Sequence, residues 1–279
     1  MKRLAFVAAF LLLSLLSASC SHTREFRDRS EDARALQRIE ILRMASDKSH
    51  RNIPLLYEAL GDEEGLAVYT IRLLRRYHRT DLGPALMDAL DSENQELPIF
   101  AIFALGEIGY RPATDRLGAL YRQELAGGKE GTFYLPVLIY ALGRLKAEAY
   151  APSFFAFLDD ERCDSSIRWI VLESLANMGS DEAVSFLIAY MNDTSRRKFD
   201  RGYAMELLAG RNNPLAVEAV TAHLTRASPL VFGAVHAMKW IGTEKQVPQL
   251  LQIAEEKDDG LSKNALAAIE KIREREGTE

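Results

Sequence analysis

A six-residue pattern, small–Leu–x–x–Leu/Ile–Gly, returns along nearly the whole chain. It stands as Ala104-Leu105-Gly106-Glu107-Ile108-Gly109 and Ala141-Leu142-Gly143-Arg144-Leu145-Lys146. It stands again as Ser174-Leu175-Ala176-Asn177-Met178-Gly179 and Ala237-Met238-Lys239-Trp240-Ile241-Gly242. Weaker copies begin at Ala35, Thr70, Ala204 and Ala268, so that successive starts are 30 to 37 residues apart. A fixed period in this range predicts a stacked-repeat solenoid in which each unit buries its apolar face only against its neighbours.

Each repeat holds a second amphipathic stretch upstream of the hexapeptide, as in Ile53–Leu60, Leu82–Leu90, Ala151–Leu158, Glu182–Met191, Leu215–Leu224 and Val247–Ile253. Apolar residues such as Val184, Phe186, Leu187 and Tyr190 recur there at helical rather than strand spacing. Pro54, Pro84, Pro152, Pro214 and Pro248 fall at the starts of these first helices, and Pro98, Pro136 and Pro229 at the starts of second helices. A first helical turn tolerates proline and a helix interior does not. The hexapeptide then ends the second helix, with its last Gly placed for a left-handed C-cap. Acidic and small clusters such as Gly61-Asp62-Glu63-Glu64, Asp91-Ser92-Glu93-Asn94, Asp159-Asp160-Glu161 and Lys257-Asp258-Asp259-Gly260 separate the two helices as turns. The longest connection, Ala126–Thr132, is an insertion that lengthens one repeat.

The hexapeptides and the proline-led first helices resemble the HEAT-repeat family, and within it the short bacterial repeats grouped with phycobilisome lyases. Asp159 or Asp160 followed by Arg168 resembles the family's Asp…Arg link between repeats. The resemblance spans about residues 28–275 and implies an all-α α-solenoid, a right-handed superhelix of about seven to eight HEAT-like helical hairpins. It implies little about function, since the same repeats serve scaffolds, lyases, hydroxylases and DNA-binding proteins. The iron-binding HEAT hydroxylases need repeated His-Glu pairs, and no His-Glu dipeptide occurs here.

Residues 1–19 carry Lys2 and Arg3, an apolar run from Leu4 to Leu16, and the small residues Ser17, Ala18 and Ser19. This is the pattern of a secretory signal peptide, too short for a good membrane span. Cys20 follows directly and resembles the lipobox cysteine of bacterial lipoproteins, with Leu16 one residue further upstream than usual. The resemblance implies cleavage before Cys20 and its lipidation, a tether over residues 20–27, and a solenoid over residues 28–279. The expected location is the bacterial cell envelope, on the outer membrane facing the periplasm. The alternative is ordinary cleavage near Ser19 and a soluble secreted or periplasmic protein. Cys163 is then a lone thiol, and a disulfide framework is not expected.

The formal net charge of −5 argues against sequence-independent nucleic-acid binding, which needs clustered Lys and Arg. The one basic run is Arg196-Arg197-Lys198 with Arg201. None of His22, His50, His78, His223 and His236 shares a helical turn with another, and neither a metal-ligand spacing nor a phosphate loop nor a nucleophile elbow is present. No catalytic group, metal or cofactor is therefore expected.

One constellation stands out. With the small residue opening each hexapeptide as zero, positions −5, −1 and +3 fall on the helix face away from the first helix. Position −1 is occupied by Tyr69, Phe103, Tyr140, Glu173, Tyr203, His236 and Ala267, position −5 adds Trp169, Phe199 and Phe232, and position +3 adds Trp240. One reading is an aromatic ladder on the concave surface, with Glu107, Arg144 and Glu173 interleaved, that binds a protein or extended peptide. The other is that the rings pack between neighbouring second helices as core. The expected function is a membrane-anchored, non-enzymatic scaffold. The alternative is an accessory enzyme or ligand-binding protein for an envelope glycan or cofactor, which requires a closed polar pocket near His236 and Trp240.

Overall fold

A computed structural model describes residues 38, 40–47, 52–60, 64–92, 97–128, 133–210, 213–256 and 259–277. The expected signal peptide, Cys20 and the expected tether lie outside the described residues, as do His22, His50 and most of the 126–132 insertion. Among the described residues there is no strand. The helices are α1 (Ile53–Glu58), α2 (Glu64–Arg76), α3 (Gly83–Asp88), α4 (Leu97–Glu107), α5 (Thr114–Ala126), α6 (Leu135–Arg144) and α7 (Ala151–Phe157). They continue as α8 (Ser165–Met178), α9 (Asp181–Asn192), α10 (Lys198–Ala209), α11 (Pro214–Thr221), α12 (Val231–Ile241), α13 (Val247–Glu255) and α14 (Gly260–Glu276). None of them is long and apolar enough to cross a membrane.

The chain divides into two compact units, one of residues 1–147 with 160–170 and one of residues 148–159 with 171–279. Each is an α-solenoid segment of two layers. In the first unit, α3 and α5 pair with α4 and α6, and the second helices stack in the order α2, α4, α6. In the second, α9, α11 and α13 pair with α10, α12 and α14, and the second helices stack as α10, α12, α14. Phe155 on α7 and Phe186 on α9 stack with ring centroids 4.5 Å apart, joining successive first helices of the second unit. The helices begin as the prolines direct: α3, α6, α7, α11 and α13 each carry Pro in their first two positions. A 3-10 turn leads into α3, α5, α7 and α13, at Thr80–Leu82, Arg111–Ala113, Glu148–Tyr150 and Glu244–Gln246. α5 is the first helix of its repeat, as the two-helix unit predicts.

The helix ends follow the hexapeptide in part. Gly109 and Gly179 take the left-handed conformation, with φ of 70° at both. Lys146, where the second copy lacks its Gly, adopts it too at φ 56°, and His78 does so at φ 50°. The three first-unit ends share one bonding pattern: Tyr110, Ala147 and Arg79 N–H donate to the carbonyls of Leu105, Leu142 and Leu74. This is the Schellman arrangement. Gly242 departs from the expected left-handed cap, with extended backbone at φ −65° and ψ 151°. A different device closes α12: the Arg275 guanidinium donates to the carbonyls of Lys239, Trp240 and Gly242.

Gly106 serves packing instead. A Cβ built there would lie 2.8 Å from the Cα of Ala141, so α4 and α6 approach closely through a missing side chain. We expect Gly106→Ala to destabilise the fold by about 1–3 kcal/mol through overpacking. Lys146→Gly should stabilise it by about 0.5–1 kcal/mol, since relief of the left-handed penalty exceeds the added chain entropy. Chemical denaturation of the two variants checks both signs.

Stability also carries a pH signature. Hydrogen bonding from Arg162 pulls Asp160 down to about 2, and Arg226 holds Asp259 well below the usual carboxylate range. Burial, and then the charge of Arg201, lowers His223. All three have folded values below their unfolded ones, so their stabilisation is complete above the unfolded pKa and lost as pH falls through the folded one. Thermal melts should therefore show a shallow decline beginning near pH ~6.5 from His223 and a steeper one between about pH 4 and 2 from the carboxylates. Arg162→Gln should diminish the acid limb and leave the shallow one.

Candidate functional site

The aromatic positions part company between the two units. In the first, Phe103 and Tyr140 are buried. Their rings stack at 5.1 Å with an interplanar angle of 27°, and the Tyr140 hydroxyl donates to Oε1 of Glu107 at 2.8 Å. The expectation that these two line a partner-binding surface is corrected: they are core, each ring covered by the other where α4 packs on α6. Residues Pro98 to Glu107 of α4 are all buried, as are Leu135 to Gly143 of α6. Tyr69 is half-buried, with the Arg38 guanidinium 5.8 Å from its ring centroid. Trp169, also half-buried, belongs to the first unit.

In the second unit the aromatic residues at positions −5 and +3, with His236 at −1, face solvent. Phe199 and Tyr203 lie four residues apart on α10, and Phe232, His236 and Trp240 lie at the same spacing on α12. That spacing puts each set on one stripe of its helix. The opposite faces make the core: Ala204, Met205 and Leu208 on α10, and Ala234, Val235, Met238 and Ile241 on α12, are buried. The two helices pack through Gly233, where a Cβ would sit 3.2 Å from the sulfur of Met205. Phe199, Phe232 and Trp240 are 68%, 63% and 66% exposed, and His236 is exposed as well. Covering one such ring completely is worth about 1.5–3 kcal/mol, so this face is a large unrealised source of association energy.

Tyr203 sits deeper on the same face. Burial, then the carboxylates of Glu173 and Glu206, pushes its phenol up, so it stays a neutral hydrogen-bond donor through the physiological range. Trp240 is held from behind by the Arg275 grip on the carbonyl at its own position, 2.8 Å away. The side chains of Lys198 and Lys239, next in sequence to Phe199 and Trp240, make no ion pair among the described residues. The face is thus three prominent rings and an imidazole on two rigid neighbouring helices, edged by Lys and Glu.

Other candidates resolve as structure. Of the basic run, Arg196 pairs with Asp159 at 2.5 Å and Asp193 at 3.0 Å, Arg197 pairs with Asp200, and buried Arg201 donates to the carbonyl of Met191. Asp160, paired with Arg162 at 2.7 Å, stays ionised and is unsuited to general acid chemistry. Arg168 donates to the Cys163 carbonyl, and Cys163 is buried. Among the described residues no group of three or more His, Cys, Asp or Glu side chains could hold a metal. An open groove of about 850 Å³ lies along α13 and α14, lined by Leu251, Leu266, Ile269, Glu270, Arg273, Glu274 and Gly277. His236 and Trp240 are not in its lining.

No curated protein matches the sequence. Among solved structures the chain is similar to human deoxyhypusine hydroxylase in complex with glycerol, at 15% identity and a TM-score of 0.39, covering 98% of each chain. It is similar to the complex of CpcE and CpcF of phycocyanin lyase from Nostoc sp., at 14% identity and a TM-score of 0.47, over 91% of this chain and 98% of that one. A third is an engineered protein, at 15% identity and a TM-score of 0.41, over 99% of this chain and 87% of the other. Residues 167–193, the end of one hairpin and the start of the next, match the family model described as PBS lyase HEAT-like repeat.

Proposed function

We propose that this chain is a non-enzymatic scaffold, held on a bacterial envelope membrane by lipid at Cys20, whose second unit binds a protein or extended peptide. The observation that carries the reading is the exposure of Phe199, Phe232 and Trp240 on adjoining helices α10 and α12. Rigid aromatic anchors on a fixed scaffold are the residue types that dominate protein interfaces. They sit on helices that bury other residues in the core, while the rings themselves stay largely exposed. The partner's matching surface is apolar with few charges, since the rings rather than Lys198 and Glu206 provide the area. The membrane half of the proposal rests on the sequence around Cys20.

Two variants separate the halves. Cys20→Ala should move the protein from the membrane to the soluble fraction and leave partner binding intact. The Phe232→Ala, Trp240→Ala double variant should stay in the membrane and lose its co-purifying partner by at least about tenfold, a loss of 1.4 kcal/mol or more. Its melting temperature should match wild type, because substitution of exposed residues costs within about 0.5 kcal/mol. Tyr140→Ala is the contrast and should lose about 3–5 kcal/mol of stability as a buried ring. Retention of the partner by the double variant would overturn the aromatic-face reading, and an unchanged distribution of Cys20→Ala would overturn the anchor.

A further inference from the structure

We infer that the first unit carries an oxyanion-binding site made by Arg75 and Arg144 around the buried carboxylate of Glu107. The site is separate from the aromatic face and independent of the scaffold reading. Glu107 ends α4 and its side chain is 5% exposed. Arg75, in the last turn of α2, donates from Nη1 to Oε2 at 3.1 Å. Arg144, in the last turn of α6, places Nε 3.1 Å from Oε1, and Tyr140 donates to the same oxygen. Three stacked second helices therefore bring two guanidinium groups and one carboxylate together. The sum is one surplus positive charge.

The bland reading is that the arginines only hold Glu107 and offset the helix C-termini, an effect of about 0.3–1 kcal/mol each. The chain itself shows what its structural arginines look like. Arg79, fully buried, donates to the carbonyls of Met44, Ala45 and Asp47 and is forked onto Asp81. Arg162 is forked onto Asp160 and donates to the carbonyls of Leu125 and Gly128. Arg226 engages the Ile253 carbonyl, Asp259 and Ser262. In each of them most N–H groups have an acceptor. Arg75 and Arg144 differ: among the described residues each has the single partner Glu107 and touches no carbonyl. The buried Nε of Arg144 is near Oε1 but not aimed at it, so this donor has no hydrogen bond. One arginine would have neutralised Glu107.

The remaining donors reach solvent. The Arg75 side chain is 56% exposed and that of Arg144 is 27% exposed. Glu107 holds both guanidinium groups near one another by ion pairing beforehand, which lowers the ordering cost of a ligand. Two forks with free N–H pairs and a surplus positive charge suit a carboxylate or a phosphate group, the planar or tetrahedral oxyanions that arginine binds in bidentate fashion.

The test is thermal unfolding of the full chain in inorganic phosphate or in succinate, each at about 20 mM, against chloride at matched ionic strength. Wild type should gain roughly 2 °C or more in one or both arms. The larger gain tells phosphate from carboxylate as the preferred group. Arg75→Gln and Arg144→Gln should each weaken the anion by about tenfold and abolish the gain. Arg75→Lys keeps the charge but not the fork and should recover only part of it. A purely structural role predicts lower melting of the variants in chloride with the anion increment unchanged. That outcome, or the absence of any increment in wild type, overturns the site.

Discussion

Arginine forks closing the ends of helices are the interaction on which each unit depends. A helix leaves its last four carbonyls without intrahelical partners, and in a stack of hairpins many of these ends are covered by the next repeat and cut off from water. Arg79 and Arg162 in the first unit and Arg201, Arg226 and Arg275 in the second each reach back to such carbonyls. The guanidinium positive charge also opposes the negative end of the helix dipole. Aspartates hold most of them in place: Asp81 fixes Arg79, Asp160 fixes Arg162 and Asp259 fixes Arg226. Arg79 is entirely inaccessible, so removing it would take a buried donor from the carbonyls of Met44, Ala45 and Asp47, at about 1–3 kcal/mol for each buried group left unsatisfied. For Arg79, Arg162, Arg226 and Arg275 the device is interlocking, because one repeat's arginine completes another's helix.

With the ends closed in this way, the second helices can lie side by side, and their composition decides what the outer stripe becomes. In α4 and α6 apolar residues run all round the helix, which is tolerable only where neighbours cover both flanks. There the rings of Phe103 and Tyr140 turn toward each other and become part of the packing. In α10 and α12 the rings of Phe199, Phe232 and Trp240 stay outside, with Lys198 and Lys239 next to Phe199 and Trp240 in sequence. Rings on the outer stripe are therefore core in one unit and surface in the other.

This explains which features were legible in the sequence. The repeat period, the two-helix unit and the proline-led starts are local, set by 3.6-residue periodicity and by the chemistry of proline within a few positions, and they could be read directly. The fate of position −1 could not, since it depends on what two other helices bring against it from a repeat away. The arginine closures were invisible for the same reason: Arg79 meets Met44 across 35 residues and Arg226 meets Asp259 across 33. The family's Asp…Arg pattern pointed to Arg168, yet Arg162 and Arg196 hold Asp160 and Asp159. At the helix ends the rule that Gly supplies the left-handed residue held for Gly109 and Gly179. It failed at Gly242, where Arg275 satisfies the carbonyls and no reversal is needed.

The same contrast separates the two sites. A helix-closing arginine is saturated by the carbonyls it closes, and the Schellman turns after α2 and α6 already bond the last carbonyls of those helices internally. Arg75 and Arg144 stand beside ends that need no arginine. Their N–H groups consequently remain available, whereas those of Arg79, Arg162 and Arg226 do not. The backbone turns at Lys146 and His78 are made by non-glycine residues at an energetic cost. In the second unit the α12 end has no such turn, Arg275 is drawn into closing it, and the groups left facing solvent are aromatic rings. The way each helix end is closed thus sets the chemistry its neighbourhood presents, charged donors in one unit and apolar area in the other.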